Sequence, residues 1–206
     1  LYFSIHKSMY KILVFLILIY SPLTFAIEQI KKIKIEGISL GDSVIDHFPG
    51  RDIVNNISND YDHLSDQFHA SILEKYKTFT QFDRVGLVIK SDSKEILFPV
   101  HGIFGLIYYE KNIQECYMEK DKWVKKLGTK FKKDIENGLI KVGWASKKHP
   151  SDLSGRSHYE ESKFFFDWGF INVTCFDMAD HMGIVDVLAI DIFDNEVDQW
   201  LSTPTS

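Results

Sequence analysis

The sequence is poor in the features that most readily betray an activity. It has two cysteines, Cys116 and Cys175, and no Cys-x-x-Cys, so a redox-active or zinc-binding pair of that kind is excluded. No apolar run approaches the roughly 20 residues that a membrane-spanning helix needs. Basic residues are not in excess: 24 Lys and Arg stand against 29 Asp and Glu, for a net charge of −5. A chain of that balance lacks the positive footprint that a phosphate backbone demands, so nucleic acid is not an expected partner. There is no internal repeat and no low-complexity tract. The one lysine-rich stretch, Lys120, Lys122, Lys125, Lys126, Lys130, Lys132 and Lys133, is local and reads as a solvated helix face.

The start of the chain has the pattern of an export signal. Met9 is the first methionine. Lys11 precedes the apolar run Ile12 to Tyr20, Ser21 and Pro22 break it, and Thr24-Phe25-Ala26 offers small residues where a signal peptidase cuts. The expectation is a signal peptide over residues 9–26, with eight residues upstream of it, and a mature chain from Ile27 to Ser206. The residue after the cut is not cysteine, so no lipid anchor is expected. Membrane contact would then be limited to the signal peptide before cleavage, and the mature protein would be exported, in the periplasm. In an oxidising compartment the cysteine pair is expected to form a disulfide rather than remain as two buried thiols.

Composition is that of a globular domain, 45% hydrophobic and 14% aromatic. Residues 27–206 are one domain's length and can bury roughly 70% of their unfolded surface. Ile30 to Glu36 alternates in period two and predicts a strand. Leu40, Val44 and Phe48 are four apart and predict a short helix ended by Pro49, with Ser39 and Asp42 as a capping pair. Asp52 to Ile57 adds a further turn of helix. Strands are predicted over Phe68–Leu73, Tyr76–Phe82, Val85–Ile89 and within Ile96–Tyr109. Ile113, Cys116, Tyr117, Val124, Leu127 and Phe131 recur at helical spacing and predict one long helix. Leu139–Trp144, Lys163–Trp168, Phe170–Phe176 and Ile184–Phe193 complete the strands, with Lys147–Ser162 as a polar connection. Asp194 is placed to cap a final helix carrying Val197, Trp200 and Leu201. Strands in runs, not alternating with helices, predict α+β: an antiparallel sheet with the long helix packed on it and short helices near each end.

Several residue groups could carry chemistry. Gly37-Ile38-Ser39-Leu40-Gly41 has the form of a Gly-x-Ser-x-Gly nucleophile elbow, although a single strand precedes it where an α/β-hydrolase has a parallel sheet. Gly41-Asp42-Ser43 resembles the opening block of the GDSL hydrolases, in which the serine attacks an ester. That resemblance would make Ser43 the nucleophile of a small ester hydrolase. The later blocks are incomplete: Ser58-Asn59-Asp60 lacks a glycine, Asp60-Tyr61-Asp62-His63 comes too early, and no Asp stands three residues before His181. His63 and His69 with Asp60, Asp62 and Asp66 match no compact zinc or calcium spacing, so a polar loop is expected and no metal site. Asp177, Asp180 and His181 read as strand-end and turn residues. His101 reads as a satisfied core or edge histidine, and His47 as a cation at a helix end. Phe164, Phe165, Phe166, Trp168, Phe170 and Phe176 suit core packing first and a binding face second.

Three segments taken together, Ile35-Glu36-Gly37-Ile38-Ser39-Leu40-Gly41-Asp42-Ser43, Lys111-Asn112-Ile113-Gln114-Glu115-Cys116 and Val173-Thr174-Cys175-Phe176-Asp177, resemble a group of small exported bacterial proteins of unknown function. The resemblance implies an exported paired-cysteine domain and carries no activity. The expected function is therefore a non-catalytic binding or interaction domain of the cell envelope, with a protein or small molecule as its partner and no cofactor. Ester hydrolysis at Ser43 is the alternative.

Overall fold

The structure, a computed structural model, describes residues 33–61, 64–74, 76, 78–91, 98–110 and 112–203. The chain divides into two units, Leu1–Lys34 and Ile35–Ser206, and the second is described here. The expected signal peptide over residues 9–26 and its cleavage point lie outside the described residues, as do Asp62 and His63.

Seven strands make one sheet: β1 (Phe68–Glu74), β2 (Arg84–Lys90), β3 (Gly102–Tyr109), β4 (Lys141–Lys148), β5 (His158–Phe166), β6 (Gly169–Asp177) and β7 (Asp186–Asp194). Their order is β1-β2-β3-β7-β6-β5-β4, and every neighbouring pair is antiparallel. Among the described residues four helices accompany them: α1 (Gly50–Asn55), α2 (Ile113–Lys130), α3 (Lys132–Glu136) and α4 (Asn195–Ser202). The class is mixed α+β, dominated by the sheet. The topology is two meanders. β1 to β3 run from one edge to the middle. α2 and α3 then carry the chain to the far edge, and β4 to β7 walk back until β7 pairs with β3. Central strands are buried on both faces, which is why β2 and β7 read as near-continuous apolar runs.

One face of the sheet is apolar along β6 and β7. Ile171, Val173 and Cys175 on β6 stand beside Ile192, Ile190 and Leu188 on β7 in register, and all six are buried. Cys116, Trp123 and Leu127 are buried residues of one α2 stripe. Cys116 is bonded to Cys175, with Cα atoms 5.9 Å apart, so the cysteines pair as expected. Lys120 departs from the solvated lysine face that was expected. It is buried, with its ammonium 3.0 Å from the Glu160 carboxylate on β5. A helix turned to bury Cys116 also turns in Lys120, four residues on, and the ion is tolerated because a carboxylate meets it.

The opposite face holds Phe68, Ala70, Val88, Phe104, Phe170 and Phe193 under Val197 and Trp200 of α4. The Phe104 ring lies where a side chain on Gly86 would stand, so that strand position admits only glycine. Asp194 caps α4 as expected, its Oδ1 accepting from the Val197 amide at 2.9 Å. The indole of Trp200 donates to the Ser65 carbonyl at 2.7 Å.

Four local expectations are corrected. The strand predicted to run to Glu36 reverses there. Ile35 and Ile38 exchange backbone hydrogen bonds at 3.0 and 2.9 Å, and Glu36 (φ 49°) and Gly37 (φ 86°) both take the left-handed conformation of a tight hairpin turn. Glu36 tolerates this because its carboxylate accepts from the amides of Thr80, Gln81 and Phe82 at 2.7 to 3.0 Å. Those amides hold its pKa below the ordinary carboxylate value against burial, which pushes the other way.

The helix predicted across Leu40–Phe48 is a turn at Ser39–Asp42 followed by a single 3-10 turn at Val44–Asp46. Gly41 is left-handed (φ 79°), and its amide donates to the Val100 carbonyl at 2.8 Å. Backbone groups committed to residues 98–100 cannot close a helix. Leu40, Val44 and Phe48 are nonetheless all buried, so the spacing reported burial without reporting conformation. Within Tyr76–Phe82 the described residues form no strand. A turn from Tyr76 to Phe79 packs both rings on Phe48. The connection expected over Lys147–Ser162 is shorter, because β4 runs to Lys148 and β5 begins at His158. β4 is the sheet's edge and exposed, so it has no buried face to impose alternation.

Candidate functional site

The serine motifs lie at the chain's first reversals. Ser43 precedes the 3-10 turn and forms an isolated antiparallel bridge with Pro99. Asp42 does not orient a catalytic base in a parallel sheet. Its carboxylate accepts from the Ser39 amide at 3.0 Å, as the capping pair anticipated, and stands 3.4 Å from His47 Nε2. Both hydrolase patterns belong to folds with parallel βα repeats, and among the described residues this sheet has only antiparallel pairs.

His101 is satisfied by Asp194, 2.7 Å from Nδ1, and packs on the Phe68 ring. Asp60 closes a local turn, accepting from the Ser58 hydroxyl at 2.9 Å. Among the described residues no three His, Cys, Asp or Glu side chains gather as a metal site. Of the aromatic run, Phe164, Phe166, Trp168 and Phe170 are buried in the core, while Phe165 is exposed.

Chemistry-bearing groups converge instead at the end of the sheet where the β4–β5 and β6–β7 connections meet. Asp152 is the hub. Its carboxylate accepts from the Ser154 amide, the Ser157 amide and the Ser157 hydroxyl, each at 2.8 Å. His181 Nε2 lies 3.0 Å from the same carboxylate and 3.4 Å from the Ser154 hydroxyl. Hydrogen bonds from Ser154 and Ser157 hold the Asp152 carboxyl far below the usual range, against its burial. A Ser, a His and an Asp in contact suggest a nucleophilic triad, and the wiring decides against it. A triad needs the serine on one ring nitrogen and the aspartate on the other. Here both face Nε2, and the Arg156 guanidinium, which can only donate, is 2.9 Å from Nδ1. Nδ1 is therefore the acceptor, and Nε2 carries the proton toward Asp152. His181 has no lone pair left to activate Ser154. The cluster is a clamp that fixes one loop against the other.

Beside the clamp the β6–β7 connection opens a cleft of about 420 Å³. Ile113 at the start of α2, Met178, Ile184 and Val185 supply apolar wall, and Asp177, Asp180 and Asp186 supply carboxylates. Gly183 ends the 3-10 turn at Asp180–Met182 in the left-handed conformation (φ 66°) and so turns the chain around the cleft. Asp186 is anchored by the Met178 amide at 2.9 Å. Burial, and then the charge of Asp186, push the Asp177 pKa up, with His158 acting the other way. Asp177, Asp180 and His181 are thus close in space as in sequence, but they divide their work: His181 belongs to the clamp and the two aspartates to the cleft.

A second polar group lies on the sheet's mixed face, in the row Lys163–Asn172–Asp191 across β5, β6 and β7. Burial, reinforced by Glu161 and opposed by Lys163 and Asn172, pushes the Asp191 pKa up to about 7. The Lys163 ammonium stands 3.4 Å from the centroid of the Phe170 ring. Sequence reasoning missed this row and the Asp152–Arg156 clamp. An Asp inside the apolar run Val187–Phe193 was the available signal for the first.

No protein-family model, no curated protein and no solved structure matches the chain.

Proposed function

We propose that the protein is an exported, non-catalytic binding domain of the periplasm, and that its ligand carries a cationic group flanked by aliphatic carbon into the cleft at the end of β6 and β7. The carrying observation is the lining: Asp177, Asp180 and Asp186 set among Ile113, Met178, Ile184 and Val185. A pocket of mostly apolar wall with few convergent polar groups is the usual form of a ligand site. Burial and then the charge of Asp186 raise the Asp177 pKa, and an incoming cation relieves that charge. In this reading α2 is the layer packed on the apolar face, and the disulfide that ties it to β6 suits an oxidising compartment. The likeness to small exported bacterial proteins fits the same assignment.

The probe is agmatine, followed by methyl NMR of the isoleucines and methionines. Shifts centred on Ile113, Met178 and Ile184, lost in Asp177→Asn and not produced by the uncharged N-butylacetamide, are expected. Agmatine that shifts none of them refutes the assignment. The alternative, ester hydrolysis at Ser43, is checked by fluorophosphonate labelling of the folded protein beside Ser43→Ala. No labelling is expected, and stoichiometric labelling lost in the variant would make this a hydrolase.

A further inference from the structure

The two edges of the sheet are finished differently. Beyond β1, residues 56–58 already occupy the edge: the Ser58 amide donates to the Ala70 carbonyl and the Ile72 amide to the Asn56 carbonyl, both at 2.8 Å. Beyond β4 no strand stands among the described residues. β4 is long and exposed along nearly its whole length. Such an edge presents a row of backbone donors and acceptors to any extended chain that reaches it.

The side chains of β4 alternate across the two faces. Val142 and Trp144 share one face and are 48% and 67% exposed. Lys141 and Lys147 lie on the other, and Lys148 ends the strand. All three lysines are exposed, and no ion pair engages them among the described residues. Lysines on a free edge oppose pairing with a second copy. Antiparallel β4–β4 pairing centred on Trp144 sets Lys141 against Lys147. An acidic strand meets the reverse. We propose that β4 is a docking edge for an extended segment of a protein partner in which acidic residues alternate with apolar ones: acids facing Lys141 and Lys147, apolar side chains facing Val142 and Trp144. The backbone ladder supplies affinity and the alternation supplies selection. The site is separate from the cleft, so either can fail without the other.

The test uses the full chain and two capped synthetic peptides, Glu-Glu-Thr-Thr-Val-Thr-Ile-Glu and its counterpart with Lys for each Glu. Amide hydrogen exchange and titration to millimolar peptide are measured, with sedimentation to follow self-association. The acidic peptide is expected to bind and to slow exchange along β4. The lysine peptide is not. Lys141→Glu with Lys147→Glu is expected to weaken binding about tenfold, the scale of two lost cross-strand charge pairs. Trp144→Thr, at an exposed site, should weaken it while leaving the thermal midpoint in place. No binding by either peptide, equal binding by both, protection that maps away from β4, or a dimer formed through β4 would each overturn the proposal.

Discussion

The two faces of the sheet are built from the same strands and behave as different materials. On the disulfide side, β6 and β7 carry Ile171, Val173, Leu188, Ile190 and Ile192, and the neighbouring β5 adds Ser162 and the Glu160 that meets Lys120. On the other side, the neighbouring positions of β6 and β7 carry Asn172, Thr174 and Asp191 beside the aromatic cluster under α4. The β6 and β7 positions of the first face gain from every buried atom and carry no titratable group. A mixed face binds its elements with fewer apolar contacts and carries a titratable group inside. The first is a fixed frame, and the second responds to conditions.

The sharpest way to break this contrast is to weaken the frame. Cys116→Ser with Cys175→Ser opens a link across a sequence separation of 59. A loss of about 4 kcal/mol in unfolding free energy is expected from the chain-entropy model. Denaturant titration measures it, and a loss under about 1 kcal/mol would show that the frame does not depend on the disulfide.

The mixed face is tested by pH. Asp191 binds its proton more tightly folded, with a pKa near 7, than in the unfolded chain. Its contribution is therefore fully present below the unfolded value, near 4, and is lost as pH rises toward 7, at a slope that reaches about 1.4 kcal/mol per pH unit at most. Asp191→Asn should flatten that limb and leave the more acid limb alone. Glu36, whose pKa is lowered, works in the opposite sense: its stabilisation is present above the ordinary carboxylate value and is lost as pH falls below it. Thermal midpoints across pH 3 to 8 for both proteins check the point, and a wild-type curve without decline between pH 4 and 7 would refute it.

The smallest effect concerns Thr174. It is buried, and its hydroxyl has no hydrogen-bond partner among the described residues. Thr174→Val keeps the shape and removes the desolvated hydroxyl, so stability should rise by up to about 1 kcal/mol. A clear loss would mean that the hydroxyl is satisfied in solution and that the face is less mixed than its geometry shows.

Much of the frame was legible in the residues. Val85, Leu87 and Ile89 alternate, α2 repeats at helical spacing, and Asp194 stands where a cap belongs. Each is a local pattern whose meaning does not depend on distant contacts. The failures share one cause. Leu40, Val44 and Phe48 have helical spacing, yet their backbone is claimed by residues 98–100. Glu36 is left-handed only because the amides of residues 80–82 hold its carboxylate. The strand character of Lys147 and Lys148 was hidden because an edge strand need not alternate, and that of His158 to Ser162 because this end of β5 is polar and mostly half-buried. At the site, Asp177, Asp180 and His181 were visible as a turn cluster, but Asp152 and Arg156 were not joined to them. Their partner His181 is more than twenty residues away, and nothing local marks the pairing.

Composition, periodicity and the cysteine pair settle what this chain must bury and which class of fold buries it, because hydrophobic burial and strand or helix period are properties of short stretches. Which faces become frame and which become mixed, which nitrogen of His181 carries the proton, and which edge of the sheet stays open follow from strand order and register alone. Those are set by pairings between residues far apart in the chain, and their free energies exist only once the whole sheet is assembled.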